Sequence, residues 1–321
     1  MFGNQTGWII SIPLALAMIW GLVWSSTPMQ TTKPTNDPIV SIALAPIKLD
    51  SSGLKIKTPD ARDAGLIYRE AIIDYLVNRD LYQDFHRRPA LAKLPSLPAI
   101  DGIVKAGGCS SADIFRSRPK DLINYRAEFP EVDALTALAN MTIAAGLLYK
   151  SDLDYDKART YINAGFELGR KMFDERLTFV EMGAGLGLMQ GGASALQALA
   201  KDKGETGLSE PAAQFAKDAQ ATATKLIDCY KIIGGIDETY YGRYSGDIFK
   251  IATSPTADPM WRVEALKHIG HYQYSSVSKV DQIYAKRLLQ KMAADSTLDP
   301  IVKTAAVAAR DLSLEEHRNT R

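Results

Sequence analysis

Glu264, His268 and His271 stand at positions i, i+4 and i+7 of one apolar-periodic segment. On a helix they fall within about 60° of one another, so a carboxylate and two imidazoles project together. That donor set is one zinc accepts. The set lacks a nameable fourth ligand, and no His-Glu-x-x-His occurs. The same helix must bury Trp261, Ala265 and Ile269, so the histidines are expected beside that stripe, bonded to a neighbouring helix. No metal or other cofactor is therefore expected, and a metal-binding protein or enzyme built on Glu264, His268 and His271 stands as the alternative reading.

Tyr240, Tyr241, Arg243, Tyr244 and Phe249 cluster in a Gly- and Ser-containing stretch, 234–256. Tyrosine and arginine are the residue types enriched where binding energy concentrates. The cluster is the candidate partner-binding surface, with a small ligand or glycan as a second occupant. The opposing reading is that the rings plug the seam between two helical regions. Gly183, Gly185, Gly187, Gly191 and Gly192 fit neither G-x-G-x-x-G nor G-K-[ST], so they point to close helix packing rather than a phosphate loop. No G-x-S-x-G elbow is present, and no residue is assigned a catalytic role. The two cysteines, Cys109 and Cys229, form no C-x-x-C or C-x-x-C-H. They are read as buried thiols or as one bridge.

The elements that must position these groups are helical. Thr58, Pro59 and Asp60 supply a cap, a first helical residue and a first-turn acid. Ala64, Ile67, Tyr68, Ala71, Ile72, Tyr75 and Leu76 then recur on one helical face. Pro89, Pro95 and Pro98 interrupt it, and 105–120 reads as an irregular crossing. Residues 131–150 and 155–174, joined at Asp152-Leu153-Asp154, predict an αα-hairpin. Further helices are expected at 177–200 and 210–233. The segment from Asp258-Pro259-Met260-Trp261-Arg262 returns as Asp299-Pro300-Ile301-Val302-Lys303, offset by 41 residues. A period near 40 with Asp at the cap and Pro at the first helical position resembles HEAT-type repeats, and residues 151–158 resemble the turn between tetratricopeptide helices.

Residues 1–32 carry no charged side chain, and Trp8–Trp24 is an apolar run of 17 residues. Such a run spans roughly 26 Å as a helix, close to a bilayer core of about 30 Å. Trp8, Trp20 and Trp24 lie near its ends, where indoles favour the headgroup layer. Ala17 and Gly21 form a small-xxx-small pair suited to close helix approach. The segment has no basic n-region and no A-x-A-like site, so 1–25 is expected to be an uncleaved anchor rather than a signal peptide. A Thr/Ser/Pro-rich linker, 26–59, is expected to lead to an extracytoplasmic, periplasmic body. The body would divide into a tetratricopeptide-like domain, 60–235, and HEAT-like hairpins, 236–321. Lys+Arg number 38 against 37 Asp+Glu. That balance argues against the concentrated basic face nucleic acid needs, and His86-Arg87-Arg88 reads as a solvated turn.

Ala64-Gly65-Leu66-Ile67-Tyr68-Arg69-Glu70-Ala71, Gly107-Gly108-Cys109, Asp154-Tyr155-Asp156-Lys157-Ala158 and Leu168-Gly169-Arg170 resemble a family of uncharacterised exported helical proteins of planctomycete-type bacteria. The resemblance spans residues 61–200. It implies an anchored, extracytoplasmic helical domain and no activity. The expectation is an all-α chain, a single transmembrane helix followed by an α-solenoid, serving as a membrane-anchored scaffold or accessory subunit for a protein partner.

Overall fold

The computed structural model describes residues 43–45, 47–54, 60–111, 121–124, 127–234, 248–274 and 279–319. The expected anchor with Trp8, Ala17, Trp20, Gly21 and Trp24 lies outside these residues, as do Tyr240, Tyr241, Arg243 and Tyr244. The described chain is all-α apart from one pair of short strands.

Strand β1 (Asp60–Asp63) runs parallel to β2 (Cys109–Ser111). Its extended backbone displaces the helix start expected at Thr58-Pro59. The helix α1 (Gly65–Val77) begins later, where the Gly65 N–H donates to the Asp63 carboxylate at 3.0 Å. Helix α2 (Arg79–Arg87) follows, and Pro98 opens α3 (Pro98–Gly107) at its first turn instead of only ending a helix. Tyr82 ties the three together: its hydroxyl donates to the Asp74 carboxylate and accepts from the Ala99 N–H at 2.9 Å.

Three long helices form the centre. They are α4 (Pro130–Ser151), α5 (Tyr155–Glu175) and α6 (Phe179–Asp202). Asp154 caps α5 by accepting from the Lys157 N–H, and Thr178 caps α6 by accepting from the Glu181 N–H. These side chains satisfy N–H groups the first turn leaves open. Helix α5 lies in backbone contact with both neighbours. A Cβ at Gly165 would sit 3.0 Å from the Ala139 carbonyl oxygen, and one at Gly185 only 2.6 Å from that of Gly169. Gly192 also abuts Phe166, whereas Gly183 and Gly191 have no neighbour within 4 Å, so only part of the glycine run makes tight contacts. Among the described residues α4 alone is long and apolar enough to cross a membrane, and it is packed between α3, α5 and α6.

Helix α7 (Thr206–Gly234) starts before the expected 210 and contains Pro211. A helical segment at 248–253 leads to α8 (Pro259–Tyr272), α9 (Lys279–Ala294), α10 (Pro300–Asp311) and α11 (Leu314–Asn319). The repeat is visible here. Asp258 and Asp299 each cap a helix with proline at its start, accepting from the Met260 and Ile301 N–H groups at 3.2 and 3.0 Å. Trp261 and Val302, at equivalent positions, are fully buried.

The first core cluster runs from Ala43, Ile47 and Leu54 through Phe166, Phe179 and Phe215 to Trp261, Leu289 and Val302. It crosses the expected division at 235/236 without a break. It also takes in the end of the expected linker, because Ala43, Ile47 and Leu54 are apolar and find the core. A second cluster, built on Tyr68, Tyr82, Ile100, Leu135 and Leu168, lies under α1–α3. Arg176 joins distant parts of the chain. It ends α5 in the left-handed region (φ 48°) and donates to the Ile47 carbonyl at 3.0 Å and to the Asp258 carboxylate. A non-glycine residue there is strained by steric contact with its own Cβ, and the two long-range bonds hold it.

Candidate interaction surface

Helix α8 is enclosed by α7, α9, α10 and the turn at Asp121–Ile123. Every residue from Met260 to Tyr272 is buried, including Arg262, Glu264, Lys267, His268 and His271. The expected rim position of the histidines is thus corrected: the helix has no rim, because neighbours cover it on all sides. The polar groups are engaged within the helix and with its neighbours. Glu264 pairs with Lys267 at 2.8 Å, and the Arg262 Nε donates to the Ala252 carbonyl at 3.1 Å. His271 Nε2 lies 3.2 Å from the Ile123 carbonyl, and its Nδ1 lies 2.8 Å from Nδ1 of His317 on α11. A carbonyl only accepts, so His271 carries its proton on Nε2, and His317 donates from Nδ1. Burial, then the neighbouring His317 and Lys267, push His271 down to about 4. Glu264, His268 and His271 do not converge, and no group of three His, Cys, Asp or Glu side chains among the described residues is set to hold a metal.

Phe249, the one described member of the aromatic cluster, is buried. Its ring meets Tyr272 and Tyr284 edge-on, with centroids 5.9 and 4.6 Å away. Above it, α9 leaves Val280, Ile283 and Tyr284 exposed, Val280 by 74%. A second exposed apolar set lies on α1 and α2: Leu66, Ile73, Leu76, Val77 and Leu81. Leu76 was expected in the core with Tyr75. Tyr75 is half-buried beside Tyr82, but Leu76 points outward at 50% exposure.

A partly buried charged cluster and a buried carboxyl escaped the sequence reading. On α5 the Arg170 guanidinium grips Glu167 and Asp174, while Lys171 donates to the Ala106 carbonyl at 3.3 Å and lies over the Tyr68 ring. Burial lowers the Lys171 pKa. The spacing of these charges is that of ordinary surface ion pairs, so nothing in it signals that Glu167 and Lys171 are inside. Glu181, buried at the start of α6, accepts from the Leu177 N–H at 2.9 Å. Burial, with Glu175 nearby, pushes its carboxyl up to about 9. Thr178-x-x-Glu181 is a capping-box pattern and was readable as such. His317 had no local signal at all, since its partner is 46 residues away. Cys109 and Cys229 are both buried and free, and burial pushes the Cys229 thiol up to about 12.

No protein-family profile, no curated protein and no solved structure matches this chain. The resemblances to planctomycete-type exported proteins and to tetratricopeptide and HEAT repeats gain no support from these comparisons.

Proposed function

We propose that this chain is a membrane-tethered, non-catalytic scaffold or accessory subunit that holds a protein partner in a membrane-associated complex. Residues 1–25 serve as the single-pass anchor, and the body is extracytoplasmic. The hairpins α4–α5 and α8–α10 are read as tetratricopeptide-like and HEAT-like units of an α-solenoid. Such stacks offer extended surfaces for partners.

The observation that carries this reading is the outer face of α9. Val280, Ile283 and Tyr284 are exposed together over buried Phe249. Tyrosine is one of the residue types enriched at binding hot spots, and Tyr284 is held in place by the edge-on ring of Phe249. The partner it fits presents aliphatic side chains of its own. The acids and bases suited to chemistry are instead engaged with one another inside, as Glu264 with Lys267, His271 with His317 and Glu167 with Arg170.

The test is extraction of the full chain in mild detergent, followed by native mass and composition. A stoichiometric protein partner is expected, and Ile283→Glu should remove it without lowering the melting temperature. A lone monomer, or a composition unchanged in Ile283→Glu, overturns the reading.

A further inference from the structure

We infer that α11 is an acid-released latch: it stays docked on α8 while His271 and His317 share one proton between facing Nδ1 atoms, and it swings away on Ser313 when both rings are protonated. The inference does not depend on the scaffold reading. It starts from how little holds α11. Of its six residues, Leu314–Asn319, His317 is the buried one. Leu314, Glu315, Arg318 and Asn319 are exposed. Just before the helix, Leu312 is buried and its carbonyl accepts from the Tyr274 hydroxyl. The chain is therefore pinned as far as Leu312 and can turn at exposed Ser313. The reciprocal bonds between Ser313 and Glu316, at 3.0 and 3.1 Å, lie within this short segment and move with it.

The point that fastens α11 is a bond between two bases. His271 gives its Nε2–H to the Ile123 carbonyl at 3.2 Å, and its Nδ1 accepts from His317 Nδ1 at 2.8 Å. One added proton can go to Nε2 of His317 and leave the bridge intact, at the cost of a charge on a buried ring. A second proton has to enter at His271 Nδ1, where the His317 N–H already points. Two N–H groups would then face each other across the bridge, so the doubly protonated pair must part.

The surroundings oppose even the first charge. Burial lowers both histidines, and the cations Lys267 on α8 and Arg318 on α11 lower His271 and His317 further, His271 to about 4. Of the acids on the flanking elements, Glu264 pairs with Lys267, Asp311 with Arg310 at the end of α10, and Glu316 with the Ser313 N–H. Glu315 is exposed, and Asp121 belongs to the turn that receives His271. With α11 released, His317 returns to water and titrates near its ordinary value of about 6.5. The released arrangement thus takes up protons first, and the docked share falls as pH drops below about 6.5. A segment held by one buried side chain opens at far lower cost than the whole fold, so release precedes unfolding.

The experiment uses the full chain with spin labels at Glu315→Cys on α11 and Lys291→Cys on α9, both exposed. Cys109 and Cys229 are buried, so labelling of folded protein falls on the introduced cysteines. Double electron–electron resonance should give one narrow distance at about pH 7.5 and a second, broad population at about pH 5. The ratio of released to docked α11 should rise at least about tenfold between the two, with the far-UV circular dichroism unchanged. In His271→Asn/His317→Gln neither position titrates, and the ratio should change by less than about twofold. An unchanged distance at the lower pH overturns the inference. So does the same broadening in the double variant, or a loss of the global helical signal alongside it. Ring resonances of isotope-labelled histidine give a second reading that needs no variant. His271 and His317 must both take up protons over the pH interval in which α11 is released. Rings that are protonated while α11 stays docked, or a release with both rings neutral, overturn it.

Discussion

Helices α8 and α1 invert the usual match between composition and burial. Helix α8 carries Arg262, Glu264, Lys267, His268 and His271, and is buried on every side; α1 is rich in aliphatic side chains and leaves Leu66, Ile73, Leu76 and Val77 in contact with solvent. Position in the fold decides burial, and composition then records what each position costs. Inside, charge survives only when paired and hydrogen-bonded, as in the Glu264–Lys267 ion pair and the Arg262 bond to the Ala252 carbonyl. On the surface, a cluster of aliphatic side chains adds little to the stability of the fold, so its presence points to something outside the fold.

Three experiments would break or sharpen this contrast. The largest effect is expected at Trp261, whose side chain is fully buried at the start of α8. Trp261→Ala should destabilise the fold by about 3–5 kcal/mol, measured by urea denaturation. A loss below about 1 kcal/mol would remove α8 from the centre of the core.

The second effect is a pH dependence. His271 titrates at about 4 in the fold against an ordinary 6.5. The unfolded chain therefore takes up this proton first as pH falls. The stability tied to the neutral ring is complete above pH 6.5 and is lost as pH drops towards 4, on the order of 3 kcal/mol. Glu181 acts in the opposite sense. Its carboxyl, raised from 4.5 to about 9, stays protonated in the fold. That contribution is complete below pH 4.5 and is lost as pH rises through about 9. In Glu181→Gln, unfolding free energy should climb between pH 4 and 6.5. Adding His271→Asn should flatten the climb, and an unchanged slope would refute the buried-imidazole account.

The smallest effect is expected on α1. Ile73→Ser and Val77→Ser should change stability by less than about 0.5 kcal/mol, because exposed positions carry little of the packing. A larger loss in the same urea assay would mean that the outer face is packed within the fold after all.

Much of the helical framework was legible because it is written locally. The expected helices at 131–150, 155–174 and 177–200 lie within two residues of α4, α5 and α6 at each end, and the repeated caps at Asp258 and Asp299 form as expected. What escaped is non-local. Strand β1 depends on a partner some 49 residues away, Asp60 against Cys109, and no window around Thr58 contains that partner. The same applies to the site. Periodicity put Glu264, His268 and His271 on one side of a helix beside the apolar stripe, but not that this side was covered too. His317 reaches His271 from the end of the chain, and Phe249 turns inward between two tyrosines. Leu76 sits at a core-like spacing and is exposed because no element among the described residues covers that edge of α1.

Arg176 has a mechanical consequence. The N-terminal chain does not enter the fold at an edge; it enters beside Ile47, whose carbonyl is gripped by Arg176, and the same guanidinium holds the cap of α8 through Asp258. Tension along the N-terminal segment is thus delivered to the junction of α5 and α8, in the middle of the molecule. The load is shared by two buried helices before any terminal element can peel away. A body fastened in this way resists being unravelled by a pull on its N-terminal segment.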